Sequence, residues 1–248
     1  MSAAMQILET LRNKGVNPSG ISADSRSVRS GDIFAAMPGL RSDGRSFIAE
    51  AVARGAAGVL WESEQGSVPE MSVPNLPIAG LHGLAGELAH LIYGRPSEKL
   101  WLCGVTGTNG KTSVSQWIAQ ATKLLGRKCG VIGTLGNGFP GALAESANTT
   151  PDAISIHSTL AGMLESGAKA CAMEVSSIGL DQGRGAGLHF ATAVFTNLTR
   201  DHLEYHGSME RYAAAKARLF AAPGLRSIVI NLDDTYGAQL YAELADKG

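Results

Sequence analysis

Eight consecutive residues, Thr106-Gly107-Thr108-Asn109-Gly110-Lys111-Thr112-Ser113, combine glycines, hydroxyls and a lysine in the order a phosphate-binding loop needs. An apolar strand precedes them and a helix pattern follows. In that context consecutive backbone N–H groups and a helix N-terminus cradle phosphate oxygens. Lys111 would reach the terminal phosphates, and the Thr112 hydroxyl would face Mg²⁺. The general pattern G-x-x-x-x-G-K-[ST] puts its first glycine at position 105, where the chain has Val105; the nearest glycine is Gly104. A glycine-rich strand-to-helix turn without ligand is the alternative, and the flanking elements favour the loop.

Three further side chains have chemistry to offer. Glu174 closes an apolar run, 170–175, at a strand end where ligands bind in open α/β sheets, and a carboxylate there can hold Mg²⁺. A solvated strand-end Glu is the alternative, and residue type and position favour the ligand. His202 lies past another strand end, where the residues alone favour an ordinary loop histidine. Its i, i+4 spacing to His206 lacks a Glu-x-x-His core and a third ligand, so zinc is not expected. Lys216 shares a helix face with Tyr212, Leu219 and Phe220, while Arg211 and Arg218 project elsewhere. A lysine on an inward face is costly unless paired or chemically altered; a stem that snorkels to solvent is the alternative. Arg184 offers a planar fork for a carboxylate or phosphate.

The elements that must position these groups fall into two halves. Positions 1–96 read as short strands at 21–23, 33–37, 57–61 and 76–79. A helix is expected with Phe47, Ile48, Ala51 and Val52 on one face, and a second over 81–93. The polar stretch with Pro69 and Pro74 reads as surface loop, and Gly94-Arg95-Pro96-Ser97 as linker. Positions 97–248 alternate: strands at 101–105, 129–132, 170–175, 193–196 and 227–231, helices at 111–125, 152–166, 208–221 and 234–245. The fold class expected is α/β: a small α/β domain, then a phosphate-loop domain with a mostly parallel, doubly wound sheet.

Composition excludes several classes. A net charge of −1 argues against binding nucleic acid by bulk charge. Hydrophobic residues at 44% are too many for a disordered chain. No apolar run is long enough to span a bilayer and no secretion signal is present, so a cytoplasmic protein without a membrane partner is expected. Cys103, Cys129 and Cys171 sit far apart in apolar runs without metal spacing and read as reduced core thiols.

Gly107-Thr108-Asn109-Gly110-Lys111-Thr112 resembles the ATP loop of the Mur ligase superfamily, which includes the folylpolyglutamate synthetases. Asn148-Thr149-Thr150-Pro151, Glu174-Val175-Ser176-Ser177 and the run from Thr196 to Gly207 (TNLTRDHLEYHG) resemble its MurE branch. Those enzymes are UDP-N-acetylmuramoyl-L-alanyl-D-glutamate ligases of peptidoglycan synthesis. Asp24-Ser25-Arg26, Gly31-Asp32-Ile33-Phe34 and Asp43-Gly44-Arg45 resemble the branch's uridine-nucleotide domain. The resemblance runs through essentially the whole chain, in order.

The resemblance implies an ATP-dependent ligase that joins a diamino acid, meso-diaminopimelate or lysine, to UDP-N-acetylmuramoyl-L-alanyl-D-glutamate through an acyl phosphate. It implies ATP binding by Gly107, Thr108, Asn109, Gly110, Lys111, Thr112 and Ser113. Mg²⁺ would be held by Thr112, Glu174, His202 and Lys216, the last carbamylated by CO₂; Lys111, Glu174, His202 and Lys216 carry the catalytic roles. The muramoyl-peptide substrate would meet Asn148, Thr149, Thr150, Ser176, Gln182 and Arg184, and the uridine nucleotide Ala23, Ser25, Leu40, Arg41 and Ser42. Ile178 departs from the histidine that usually follows Glu-Val-Ser-Ser in the branch. A monomer is expected, as an N-terminal portion whose third domain lies beyond 248, inactive by itself. The alternatives are a MurF-type ligase and a nucleotide-binding module without ligase activity.

Overall fold

A computed structural model describes residues 1–39, 42–64 and 70–246. The chain forms two units, Met1–Arg95 with Ala153–Ser158, and Pro96–Asp152 with Thr159–Gly248. The cut after Arg95 falls inside the linker read from sequence, at a residue held at a left-handed φ of 60°. Residues 153–158, read from sequence as part of the second half, group with the first unit.

The first unit contains α1 (Ala3–Asn13), β1 (Gly20–Ser22), β2 (Asp32–Ala36), α2 (Ile48–Ala53), β3 (Gly58–Glu62), β4 (Asn75–Ile78) and α3 (Leu81–Ile92). Its four strands are parallel in the order β1-β2-β3-β4. Alternation along β2 sends Ile33 and Ala35 to one face, with Leu8 and Leu11 of α1 and Leu81 and Leu88 of α3. Phe34 and Ala36 go to the other, with Ile48 and Ala51 of α2. Phe47, expected on the buried face of α2, instead caps that helix and is 40% exposed. α3 begins at Gly80, which has no capping side chain. The buried Glu62 carboxylate at the end of β3 does the capping from across the sheet, accepting from the N–H groups of Gly80 (3.1 Å) and Leu81 (2.9 Å).

The second unit contains α4 (Pro96–Lys99), β5 (Trp101–Thr106), α5 (Lys111–Leu124), β6 (Cys129–Gly133), β7 (Gly136–Phe139), β8 (Ala142–Ala144), α6 (Ala153–Glu165, whose first turns belong to the first unit), β9 (Ala170–Glu174), α7 (Ser177–Asp181), β10 (Thr192–Phe195), α8 (Leu203–His206), α9 (Met209–Ala217), β11 (Ser227–Ile230) and α10 (Thr235–Ala245). Its sheet runs β11-β10-β5-β9-β6-β7-β8, parallel except for the antiparallel β7 and β8. The chain leaves β5 toward β6, returns through β9, then crosses to β10 on the other side. The carboxyl end of β5 is therefore a topological switch point, where an open α/β sheet forms its ligand crevice. The register brings three strand ends together there: Val105 pairs with Glu174 and Thr106 with Phe195.

The three cysteines are buried and free. Burial pushes the thiol of Cys103 up to about 12 and that of Cys129 to about 11, so they stay protonated. Among the described residues no helix is long and apolar enough to cross a membrane.

Candidate functional site

β5 delivers the loop 107–110 to the crevice, and α5 starts at Lys111. Gly107 sits at φ +145°, and a Cβ there would collide with the Thr196 hydroxyl, so only glycine fits. Gly110, at φ +83°, precedes α5 without any side-chain cap, which leaves the helix start open to an anion. The loop is pinned from β10's extension. Thr108 N–H donates to the Asn197 carbonyl (2.8 Å) and Asn109 N–H to Asn197 Oδ1 (2.9 Å), while Thr196 Oγ1 donates to the Asn109 carbonyl (2.6 Å). The N–H groups of Thr108 and Asn109, expected to face a nucleotide, thus hold the loop's shape. Ser113 is exposed on the first turn of α5.

Two lysines converge on one carbonyl. Lys111 Nζ donates to the carbonyls of Gly107 and Thr108, each at 2.9 Å, and Lys216 Nζ donates to Gly107 O at 2.8 Å. Lys216 is 1% exposed, so it does not snorkel to water. Tyr212, Leu219 and Phe220 are buried with it, as the helical spacing predicts. Its ammonium stands 4.4 Å from the centre of the Tyr212 ring. Burial first, and repulsion from Lys111 second, bring its pKa down to about 7, against a smaller opposing pull from Asp201. Burial also lowers that of Lys111, with Glu174 and Asp201 opposing.

Glu174 is 1% exposed and takes donors from two sides. Thr112 Oγ1 donates to Oε2 at 2.9 Å; Thr134 gives its N–H to Oε1 (3.0 Å) and its hydroxyl to Oε2 (3.1 Å). A Cβ on Gly133 would collide with this carboxylate. Adjacent oxygens of an octahedral Mg²⁺ shell, with bonds of about 2.1 Å, lie roughly 3 Å apart. The Thr112–Glu174 pair has that separation, and the buried carboxylate otherwise receives only uncharged donors, so the residues fit the ion the resemblance implies.

The expected peptide-binding residues form a second network beside Glu174. Thr150 Oγ1 donates to the Glu174 carbonyl (3.0 Å) and accepts from Ser176 N–H (2.9 Å); Ser176 Oγ caps α7. Arg184 donates to the Thr150 carbonyl (2.6 Å) and is held as a fork by Gln182 Oε1 (3.0 and 2.7 Å). Thr149 Oγ1 lies 3.0 Å from Thr134 Oγ1, and Asn148 is exposed at the mouth. Ile178 lies one residue into α7.

His202 is less tightly placed. It adopts a left-handed φ of 49° and is 42% exposed at its side chain. It lies 3.6 Å from Asp201 and 3.6 Å from Glu204, with its ring 6.1 Å from that of Tyr212. His206 turns the other way: its Nε2 meets Ser177 Oγ at 3.0 Å, buried, so the two histidines do not act as a pair.

In the first unit, Ser25 is buried and donates to Glu50 Oε2 at 2.7 Å, while Ala23 and Ser42 are exposed. Asp24 and Asp43 each cap a short turn and hold the arginine two residues on, Arg26 and Arg45. Leu40 and Arg41 lie outside the described residues. Sequence reasoning assigned no role to Thr134, Asn197, Gly133 or Tyr212. Asn197 and Tyr212 stand within stretches that drew attention, but Thr134 and Gly133 gain their place only from strand pairing.

Residues 105–248 match the Mur ligase middle domain, and residues 17–93 the Mur ligase family catalytic domain. The chain is 58% identical over 227 residues to a UDP-N-acetylmuramoyl-L-alanyl-D-glutamate–2,6-diaminopimelate ligase of Pseudomonas aeruginosa, covering 91% of this chain and 47% of that protein. A solved structure of a ligase with that name superimposes with a TM-score of 0.77 at 37% identity, over 92% of this chain and 46% of the other. The MurF ligase from Thermotoga maritima in complex with ADP gives a TM-score of 0.67 at 21% identity, over 93% and 49%, and shares the fold. The chain spans about half the length of the curated relatives it matches. With two family domains matched in order over the loop and crevice just described, the chain belongs to the Mur ligase family.

Proposed function

We propose that the complete gene product is an ATP-dependent ligase that adds diaminopimelate to UDP-N-acetylmuramoyl-L-alanyl-D-glutamate in peptidoglycan synthesis, working as a cytosolic monomer. The observation that carries this reading is the Thr112–Glu174 pair, 2.9 Å apart, beside an uncapped helix start, the half-buried Lys111 and the buried Lys216. The names of relatives 50–58% identical to this chain support diaminopimelate as the amine. The MurF alternative rests on structures only 19–21% identical, which carry the fold alone.

In the reaction the γ-phosphoryl group of ATP passes to the D-glutamyl carboxylate. The amine then attacks the acyl phosphate and phosphate leaves. Two anions must meet in the first step, so the crevice needs positive charge. Lys111 exchanges its loop carbonyls for phosphate oxygens, and the open start of α5 receives the same group. Thr112, Glu174, His202 and a carbamylated Lys216 would hold Mg²⁺, which neutralises charge building on the phosphates. Arg184, braced by Gln182, and the Thr150–Ser176 pair orient the peptide carboxylate.

The test is phosphate release by the complete gene product with ATP, the UDP-linked dipeptide and diaminopimelate. Release requiring all three is expected. Release only with a tripeptide substrate and D-Ala-D-Ala would transfer the protein to the MurF reaction. The uridine end is assigned to the first unit, with Ala23, Ser25, Leu40, Arg41 and Ser42 at its pocket. Ser25→Ala is expected to raise KM for the UDP substrate about fivefold, the worth of one ordinary hydrogen bond, with kcat unchanged. An unaltered KM would remove Ser25 from that pocket.

A further inference from the structure

Tyr212 is among the largest fully buried side chains of the chain, and it stands at the meeting of the loop, α9 and the segment after β10. Its hydroxyl lies 3.1 Å from Thr108 Oγ1. That threonine oxygen has two other partners: it donates to the Thr199 carbonyl (3.2 Å) and accepts from the Thr199 N–H (2.9 Å). A hydroxyl has one proton and two acceptor sites. With the proton on Thr199 O and one acceptor site taken by Thr199 N–H, the remaining site accepts, and the Tyr212 hydroxyl is the donor. Burial raises the Tyr212 pKa above its ordinary value, which keeps that donor proton in place.

The ring itself is engaged as well. Lys216 Nζ stands 4.4 Å from its centroid, and the His206 ring packs at 5.2 Å, itself fixed through Ser177. The loop carbonyl of Thr108 is one of the two on which Lys111 rests, and the carbonyl of Gly107 holds both lysines. One side chain therefore sets the loop residue next to those carbonyls and supports one of the two ammonium groups that converge on them.

We propose that Tyr212 is a positioning residue for nucleotide binding: by donating to Thr108 Oγ1 it fixes the phosphate loop against α9, and so the perch from which Lys111 works. This rests on the ligase reading above. Tyr212 touches no reacting atom; it acts through Thr108 and the loop carbonyls.

Tyr212→Phe isolates the hydroxyl, because the ring that carries Lys216 and packs on His206 remains. In the complete gene product the variant should raise KM for ATP and the dissociation constant for ADP by about three- to tenfold, the loss expected for one ordinary hydrogen bond. KM for the other two substrates should stay within about twofold. Thr108→Ala should weaken ADP more, since it also releases Thr199. Adding Tyr212→Phe to it should then cost nothing further, because the partner of the hydroxyl is already gone. A lowered melting temperature with unchanged ATP and ADP parameters would make Tyr212 merely structural and overturn the proposal. So would full additivity in the double variant. ADP calorimetry separates the two levels of inference. Wild-type protein that binds ADP but ligates nothing defeats the ligase reading and leaves the Tyr212 comparison readable. Wild-type protein that fails to bind ADP at all defeats both.

Discussion

Lys111→Ala is expected to lower ATP-dependent phosphate release by the complete gene product by about 10²–10⁴-fold, with the fold retained. The expected loss is that of a preorganised cation facing charge that shifts during phosphoryl transfer. In the structure the ammonium rests on the carbonyls of Gly107 and Thr108, within its own loop, so the alanine variant gives up two local contacts and no distant one. The melting temperature should move little. The variant should also relieve Lys216, since repulsion from Lys111 is the second cause of its lowered pKa. Near-normal turnover in the alanine variant would remove the loop from the phosphate site.

Lys216 is expected to make turnover depend on dissolved CO₂. Carbamylation needs the neutral amine. At the ordinary lysine value of 10.5 roughly one amine in three thousand is neutral at pH 7, whereas at about 7 close to half are. The sign follows: burial destabilises the ammonium, so the reactive form gains as pH rises through 7, and the carbamate should be hardest to form below that. The product turns a buried cation into an anion suited to a magnesium ion. Stripping CO₂ should cut the rate several-fold, more at pH 6 than at pH 8, and bicarbonate should restore it. Lys216→Ala should be nearly inactive and partly rescued by acetate, a small carboxylate that fits the space left. Full activity without CO₂ together with a fully active Lys216→Ala enzyme would take Lys216 out of the site.

Much of the fold was legible because β/α alternation announces itself. Apolar runs such as 101–105 and 170–175 are strands buried on both faces, and the glycine-lysine-threonine turn between strand and helix has few other uses. α1 was not expected, although Ser2 caps its start by accepting from the Met5 N–H. The β7–β8 hairpin was missed as well: Gly136-Asn137-Gly138-Phe139 has one large apolar side chain and too little alternation to read as a strand. Its pairing is imposed by β6. At the site, Lys111, Glu174 and Lys216 stood out by residue type and position. Thr134 did not, because a threonine becomes a carboxylate's partner only when β6 and β9 pair and bring residue 134 beside residue 174. The same holds for Asn197, whose three bonds to the loop follow from β10 lying next to β5.

Gly133 has a consequence of a different kind. It has no functional group, yet the hydrogen of its Cα is all that separates β6 from the Glu174 carboxylate, which even a methyl group would strike. The carboxylate cannot yield freely, for Thr112 and Thr134 hold both its oxygens. In a saturating mutational scan of the gene this codon is therefore expected to tolerate as little as one for a site acid or lysine: the mildest replacement, alanine, should already move the carboxylate from Thr112. Tolerance to mutation here is set by the volume a neighbour needs rather than by anything the residue does.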